Sequence, residues 1–243
     1  DNVYVFNRGE HPMIVFDRDG NFLRSWGEGV FPRAHGVFMA PDETIWLTDD
    51  ADHTVRQCTL DGKVLLTPGK KGQGGNGNDV FDRPTGIAFA PNGDIFIADG
   101  HRDSATAATG NNRIVRFSKD GKYLAEFGRK GTGPGEIREP HSLAFDSRGR
   151  LFVADRINNR IQVFDQDGNY KDKFYQFSRP SGIYIDKNDN LYSADSESKS
   201  VSRNHQDWKR GIRIGSLKDK DRKVTAFIPD PDENATGTSA AEG

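Results

Sequence analysis

Two histidines of this 243-residue chain stand in matching surroundings. Ala34-His35-Gly36-Val37-Phe38 and Pro140-His141-Ser142-Leu143-Ala144 each place an imidazole just ahead of a short apolar run. The same register puts Thr85, Ser181 and Glu242 at three further run starts. Imidazole and carboxylate groups suit a first-row divalent metal, zinc above all, and a site of His35, His141 and Glu242 with one open position would serve catalysis. A histidine at a strand start equally suits a plainer task, a hydrogen bond to the neighbouring strand. Thr85 and Ser181 fit polar lining better than ligation.

Three other residues carry usable chemistry. Arg8 and Arg156 close equivalent apolar runs, and a permanently charged guanidinium there can clamp a carboxylate, steady an oxyanion, or pair with a neighbour such as Glu10. His101 follows Ala98-Asp99-Gly100, where an imidazole can act as acid or base near neutral pH. The small-residue stretch Arg102–Gly110 comes directly after it and suits a lid or a tolerated surface insertion.

Repeated elements must position these groups. Thr44-Ile45-Trp46-Leu47-Thr48-Asp49-Asp50 is echoed at 94–100, 150–156, 190–196 and, more distantly, 2–8. These aromatic-rich runs read as buried strands. Before four of them comes another strand, reached through the turn formers Pro41-Asp42, Asn92-Gly93, Arg148-Gly149 and Asn188-Asp189. After them come a third strand, an Asp-Gly turn (Asp19-Gly20, Asp61-Gly62, Asp120-Gly121, Asp167-Gly168) and a fourth strand. Asp-Gly suits hairpins because its φ > 0 positions match strand twist. Four antiparallel strands repeated radially make a β-propeller blade, whose first strand lines the central channel.

The expected fold is therefore all-β, a six-bladed propeller in one domain over 1–243. The blades fall near 1–30, 31–69, 81–131, 137–177 and 178–237, with a sixth beginning near 238. The strand starts at 35, 85, 141, 181 and 242 are 50, 56, 40 and 61 residues apart. At about 40–50 residues per blade, six blades need roughly 240–300 residues, so the first and last blades are expected to be incomplete. Their open edges would invite self-association.

Composition narrows the field further. No apolar run approaches the ~20 residues of a membrane-spanning helix. Lys and Arg (34) nearly balance Asp and Glu (36), which argues against a nucleic-acid partner held by phosphate neutralisation. The single cysteine, Cys58, excludes a disulfide framework and a thiolate zinc cluster. Lys70–Gly77 is Gly-rich but lacks the lysine–hydroxyl ending of a phosphate loop and reads as a connection between blades. Asn234-Ala235-Thr236 fits a glycosylation acceptor, and Lys218–Lys223 a solvated turn.

The strings Gly-Ile-Ala-Phe…Asp-Ile-Phe-Ile-Ala-Asp…Asn111-Asn112-Arg113-Ile114 and Ser-Leu-Ala-Phe…Leu-Phe-Val-Ala-Asp…Asn158-Asn159-Arg160-Ile161 resemble NHL repeats. Arg8-Gly9-Glu10-His11, His35-Gly36, Pro140-His141-Ser142-Leu143 and Ala154-Asp155-Arg156 extend the resemblance, over roughly residues 2–200, to the peptidyl-α-hydroxyglycine α-amidating lyases (peptidylamidoglycolate lyases). That resemblance implies a zinc-dependent lyase that cleaves a carbinolamide into an amide and glyoxylate. It implies three channel histidines for the metal, matched by His35 and His141 with Glu242 at the third place, and allows a structural calcium. It implies a catalytic role for Arg8, a place near substrate for Arg156, and a base where His101 replaces a tyrosine. The substrate would be a small molecule or peptide with an anionic group, and the protein would be exported. A non-catalytic propeller binding a protein or glycan, or a metal-dependent hydrolase or lactonase, is the alternative.

Overall fold

The computed structural model describes residues 1–101, 110–202, 205, 207–219 and 221–232. Among these residues nineteen strands form five antiparallel sheets, each meandering in chain order. Blade 1 holds β1 (Asn2–Phe6), β2 (Met13–Asp17) and β3 (Phe22–Trp26). Blade 2 holds β4 (Ala34–Met39), β5 (Ile45–Asp49), β6 (Thr54–Cys58) and β7 (Val64–Leu66). Blade 3 holds β8 (Pro84–Phe89), β9 (Ile95–Asp99), β10 (Arg113–Phe117) and β11 (Tyr123–Phe127). Blade 4 holds β12 (Pro140–Phe145), β13 (Leu151–Asp155), β14 (Arg160–Phe164) and β15 (Tyr170–Phe174). Blade 5 holds β16 (Gly182–Ile185), β17 (Asn190–Asp195), β18 (Gly211–Ser216) and β19 (Val224–Pro229). The first strands neighbour one another in series: β1 with β4, β4 with β8, β8 with β12, and β12 with β16.

The expected six-bladed ring is thereby corrected to five blades among the described residues, the first of three strands and the fifth of four. Residue spacing was a poor ruler of blade number. The connections at 67–83, 100–112 and 196–210 lengthen three of the four intervals and add no strand among the described residues. The expected sixth-blade start near 238, Glu242, the Asn234–Thr236 motif and positions 102–109 of the expected lid lie outside the described residues.

The second strands are buried along their whole length in blades 2, 3 and 4, as their aromatic and β-branched runs demand. The core is divided among the blade interfaces. Met13, Val15 and Trp26 pack against Ile45 and Leu47, Val55 and Phe81 against Ile97 and Val115, Phe96 and Ala98 against Leu143 and Val153, and Phe152 and Ile161 against Ile183 and Leu191. Thin interfaces of this kind let a chain with only 34% hydrophobic residues bury all it needs. Cys58 is fully buried in the first of them, and burial pushes its thiol up to about 11.

The Asp-Gly turns form where expected, by a different geometry. Only the glycines take positive φ, 85° at Gly20, 95° at Gly62, 77° at Gly121 and 83° at Gly168, and each turn is followed by a register shift in its hairpin. This is a turn closed by a glycine bulge rather than a two-residue mirror-image turn. The Gly-rich 70–77 connection is anchored, because Asn76 and Gly77 carbonyls accept from the Arg113 guanidinium.

Candidate metal centre

In an antiparallel blade the start of the first strand and the end of the second lie on one side, so both kinds of candidate residue reach the same mouth of the channel. His35 sits at the start of β4 and His141 at the start of β12. Between them runs β8, approached closely by the backbone of β4: a Cβ on Gly36 would come within 2.5 Å of the Thr85 carbonyl. His101 arrives from the end of β9, two residues past Asp99, with its backbone N–H donated to the Arg83 carbonyl at 3.0 Å.

The three imidazoles meet. Ring centroids lie 4.4 Å apart for His35 and His101, 4.9 Å for His35 and His141, and 5.1 Å for His101 and His141. One ring nitrogen of each lies within 4.8 Å of one of each of the others. Burial pushes all three towards the neutral form, His35 to about 4 and His101 and His141 well below the ordinary histidine range, with Arg156 adding to the effect. Three neutral imidazoles, two of their contacts edge to face and the third tilted, present lone pairs rather than charge.

The surrounding groups fix two of the rings. His141 Nδ1 lies 2.5 Å from the Ser181 carbonyl, which can only accept, so this nitrogen carries the proton and Nε2 is left as the donor to a metal. His101 Nδ1 lies 2.6 Å from Oδ2 of the fully buried Asp50 and is likewise held as N–H. Its Nε2 faces the Arg156 guanidinium at 3.1 Å and Glu139 Oε1 at 3.4 Å. Histidines bound to metals commonly carry a carboxylate or carbonyl on the far nitrogen in this way. His35 Nδ1 is buried with no hydrogen-bond partner, an orphaned polar atom on the ring that packs against both other imidazoles. The residues present therefore fit a first-row divalent ion, with imidazole nitrogen as the ligand type zinc favours.

The cluster opens into a cavity of about 500 Å³ whose wall includes Arg8, Arg33, Arg83, Arg156, Glu139 and Glu197. Arg8 donates through Nε to the Ala34 carbonyl at 3.1 Å, and burial followed by the nearby Arg33 lowers its pKa. Arg156 is held from two sides, by Glu139 and by Glu197 at 3.0 Å. The remaining strand-start residues do other work. Thr85 ties blade 3 to blade 4 by donating to the Pro140 carbonyl at 2.6 Å, and the Ser181 hydroxyl accepts from Ser196 at 2.9 Å.

Of the sequence candidates, the structure brings Arg8, His35, His101, His141 and Arg156 to one cavity, while Glu242 lies outside the described residues. His101 joins the other two imidazoles rather than standing apart from them. Sequence reasoning passed over Asp50 and the residues directly ahead of the strand starts, Arg33, Arg83 and Glu139. The signal was available, because these three share a single register with the histidines.

Fold and site together define a β-propeller with a histidine cluster in its channel mouth, ringed by arginines. The NHL repeat model matches residues 138–164, which span β12 to β14, and the chain is an NHL-repeat propeller resembling the peptidyl-α-hydroxyglycine amidating lyases. NHL repeat-containing protein 3 of Homo sapiens is 41% identical over 177 residues, covering 68% of this chain and 49% of that protein. The probable peptidyl-alpha-hydroxyglycine alpha-amidating lyase pgal-1 of Caenorhabditis elegans is 30% identical over 177 residues, covering 71% of this chain and 47% of that protein. The chain thus spans about half the length of these curated relatives. Virginiamycin B lyase from Staphylococcus aureus shares the fold, with a TM-score of 0.62 at 15% identity over 97% of this chain and 68% of that one. No helix among the described residues is long and apolar enough to cross a membrane.

Proposed function

We propose that this protein is a metal-dependent lyase that cleaves the N–C bond of a peptidyl or acyl α-hydroxyglycine, giving an amide and glyoxylate. The observation that carries the reading is the meeting of His35, His101 and His141 beside two cavity arginines, Arg8 and Arg156. Homologues that bear the lyase name at 30–32% identity support it. We take His101, rather than Glu242, as the third ligand beside His35 and His141, through Nε2, whose lone pair accepts from Arg156 without the ion and would pass to the ion on binding.

The reaction is balanced without water, oxidant or reductant. The substrate hydroxyl loses its proton as its oxygen becomes the aldehyde carbonyl, the C–N bond breaks, and the departing amide nitrogen gains a proton. A bound divalent ion, zinc in this reading, would draw charge from the hydroxyl oxygen and make that proton easier to remove. Arg8 clamps the substrate carboxylate with its guanidinium fork. Glu139, a cavity-wall carboxylate 3.4 Å from His101 Nε2, takes the hydroxyl proton and returns it to the amide nitrogen. Arg156 is locked by Glu139 and Glu197 and holds Glu139 in place.

The test is to incubate the zinc-loaded protein with an N-acyl-α-hydroxyglycine and measure amide and glyoxylate, which are expected in equal amounts. Glu139→Gln is expected to lower kcat by roughly 100-fold or more with metal content unchanged. Full activity in that variant would remove Glu139 from the mechanism. Asp50→Asn is expected to weaken zinc binding about 10- to 100-fold in a competition with a chromogenic chelator, because His101 loses the carboxylate that orients it. An unchanged affinity would show that His101 needs no such support.

A further inference from the structure

In three blades the residue just ahead of the first strand pairs with a residue just past the second. Arg33 pairs with Asp50 in blade 2, Glu139 with Arg156 in blade 4, and Arg179 with Glu197 in blade 5. Blade 3 breaks the pattern. Arg83 takes the leading position, with its backbone at φ 63° where Glu139 has 57°, but the residue directly past β9 is Gly100, and the ring of the next, His101, is held by Asp50 of blade 2. No side chain fits at position 100, since Gly100 holds φ at 133° and a Cβ would meet the Asn112 backbone nitrogen at 2.5 Å.

Arg83 therefore lines the cavity without an ion-pair partner among the described residues, and its Nε is buried with no hydrogen bond. Leaving a part-buried guanidinium unpaired is costly, and the charges at the leading position of blades 2, 4 and 5 are all neutralised. Arg8, on blade 1, also lacks a carboxylate partner among the described residues and donates only to a backbone carbonyl. Two unpaired guanidinium groups from blades 1 and 3 thus share one cavity, with His35 supplied by the blade between them.

We propose that Arg83 is the second anion anchor of this site, so that its ligands carry two carboxylates, one at Arg8 and the other at Arg83. The substrate class that follows rests on the lyase reading: an α-hydroxyglycine whose acyl part bears a further carboxylate. A guanidinium fork matches a carboxylate in two parallel hydrogen bonds, which discriminates a dianion from a monoanion.

The test compares N-succinyl-α-hydroxyglycine with N-acetyl-α-hydroxyglycine on the zinc-loaded wild type, Arg83→Asn and Arg83→Lys. Asparagine accepts a positive φ readily, so the first variant keeps the backbone, as its circular dichroism and Tm will verify. The wild type is expected to favour the succinyl substrate about 30-fold in kcat/KM, the size of one charge-assisted contact. Arg83→Asn is expected to bring that ratio near one through loss on the succinyl substrate alone, and Arg83→Lys to fall between. The same ratio in wild type and Arg83→Asn overturns the proposal. A binding arm needs no turnover: calorimetry with succinate and acetate is expected to show the same Arg83-dependent preference. If succinate binds through Arg83 and neither substrate is turned over, the lyase reading fails and the anchor stands. If both substrates are turned over equally well, the anchor fails and the lyase reading stands. A third substrate, a glutamyl-α-hydroxyglycine peptide, distinguishes an acidic peptide from a small dicarboxylate as the source of the second charge.

Discussion

Replacing Arg160 by alanine is expected to destabilise the protein by about 3–5 kcal/mol, the cost of stripping one partner from a buried ion pair. Arg160 is 2% exposed and holds Asp155 at 2.6 Å through Nε. Its other nitrogens donate to the carbonyls of Thr132, Gly133 and Glu136, in the connection that leads into blade 4. Asp155 in turn receives the Arg138 backbone N–H, Asn158 and Gln162. Removing the guanidinium therefore leaves one buried carboxylate short of its cation and three carbonyls short of a donor. Blade 3 repeats the device with Asp99, Arg113 and the carbonyls of Asn76, Gly77 and Val80. The Asp…Asn-Asn-Arg signature thus exists to pin each incoming connection to the end of the second strand, at the mouth where the site is built. Arg160→Lys should recover little, because one ammonium cannot reproduce a fork that serves four acceptors. Against a total stability of about 5–15 kcal/mol, the urea midpoint should fall steeply. A loss below about 1 kcal/mol would mean that the pair is not structural.

His35→Ala and His141→Ala are each expected to abolish stoichiometric zinc binding and to lower glyoxylate release by about 1,000-fold or more, since a metal contributes several kcal/mol to charge stabilisation and each 1.4 kcal/mol is tenfold. The fold should survive. Both histidines are half-buried as residues, each stands at a strand start, and alanine adds no strain there. The two variants separate a metal role from hydrogen bonding to a neighbouring blade. His141→Asn keeps a donor for the Ser181 carbonyl, so a purely structural histidine would be rescued by it and a ligand would not. Retention of both metal and activity in either alanine variant would remove that histidine from the centre.

Much of this was legible in the sequence, for physical reasons that can be named. The second strands announced themselves because burial on both faces demands unbroken runs such as Ile95–Asp99 and Leu151–Asp155. Gly20, Gly62, Gly121 and Gly168 marked the outer hairpins because only glycine takes their positive φ cheaply. The number of blades was not legible, because connections such as 67–83 vary in length independently of the strands they join. At the site, His35 and His141 could be matched because equivalent strand starts face one channel. The company of His101 was hidden, since it comes from the end of a second strand and meets them only through the pairing of β8 with β9. Arg83 was hidden more deeply. Its meaning lies in the lack of an ion-pair partner among the described residues, visible only after the Arg33–Asp50 and Glu139–Arg156 pairs are known.

The most direct test of the central claim is titration of the metal-free protein with Co(II), followed by its visible absorption. The account predicts one ion per chain and the intense d–d bands of a low-symmetry site with three imidazoles, with both lost in His35→Ala, His101→Ala and His141→Ala. Saturation without those bands, or bands that persist in all three variants, would contradict it.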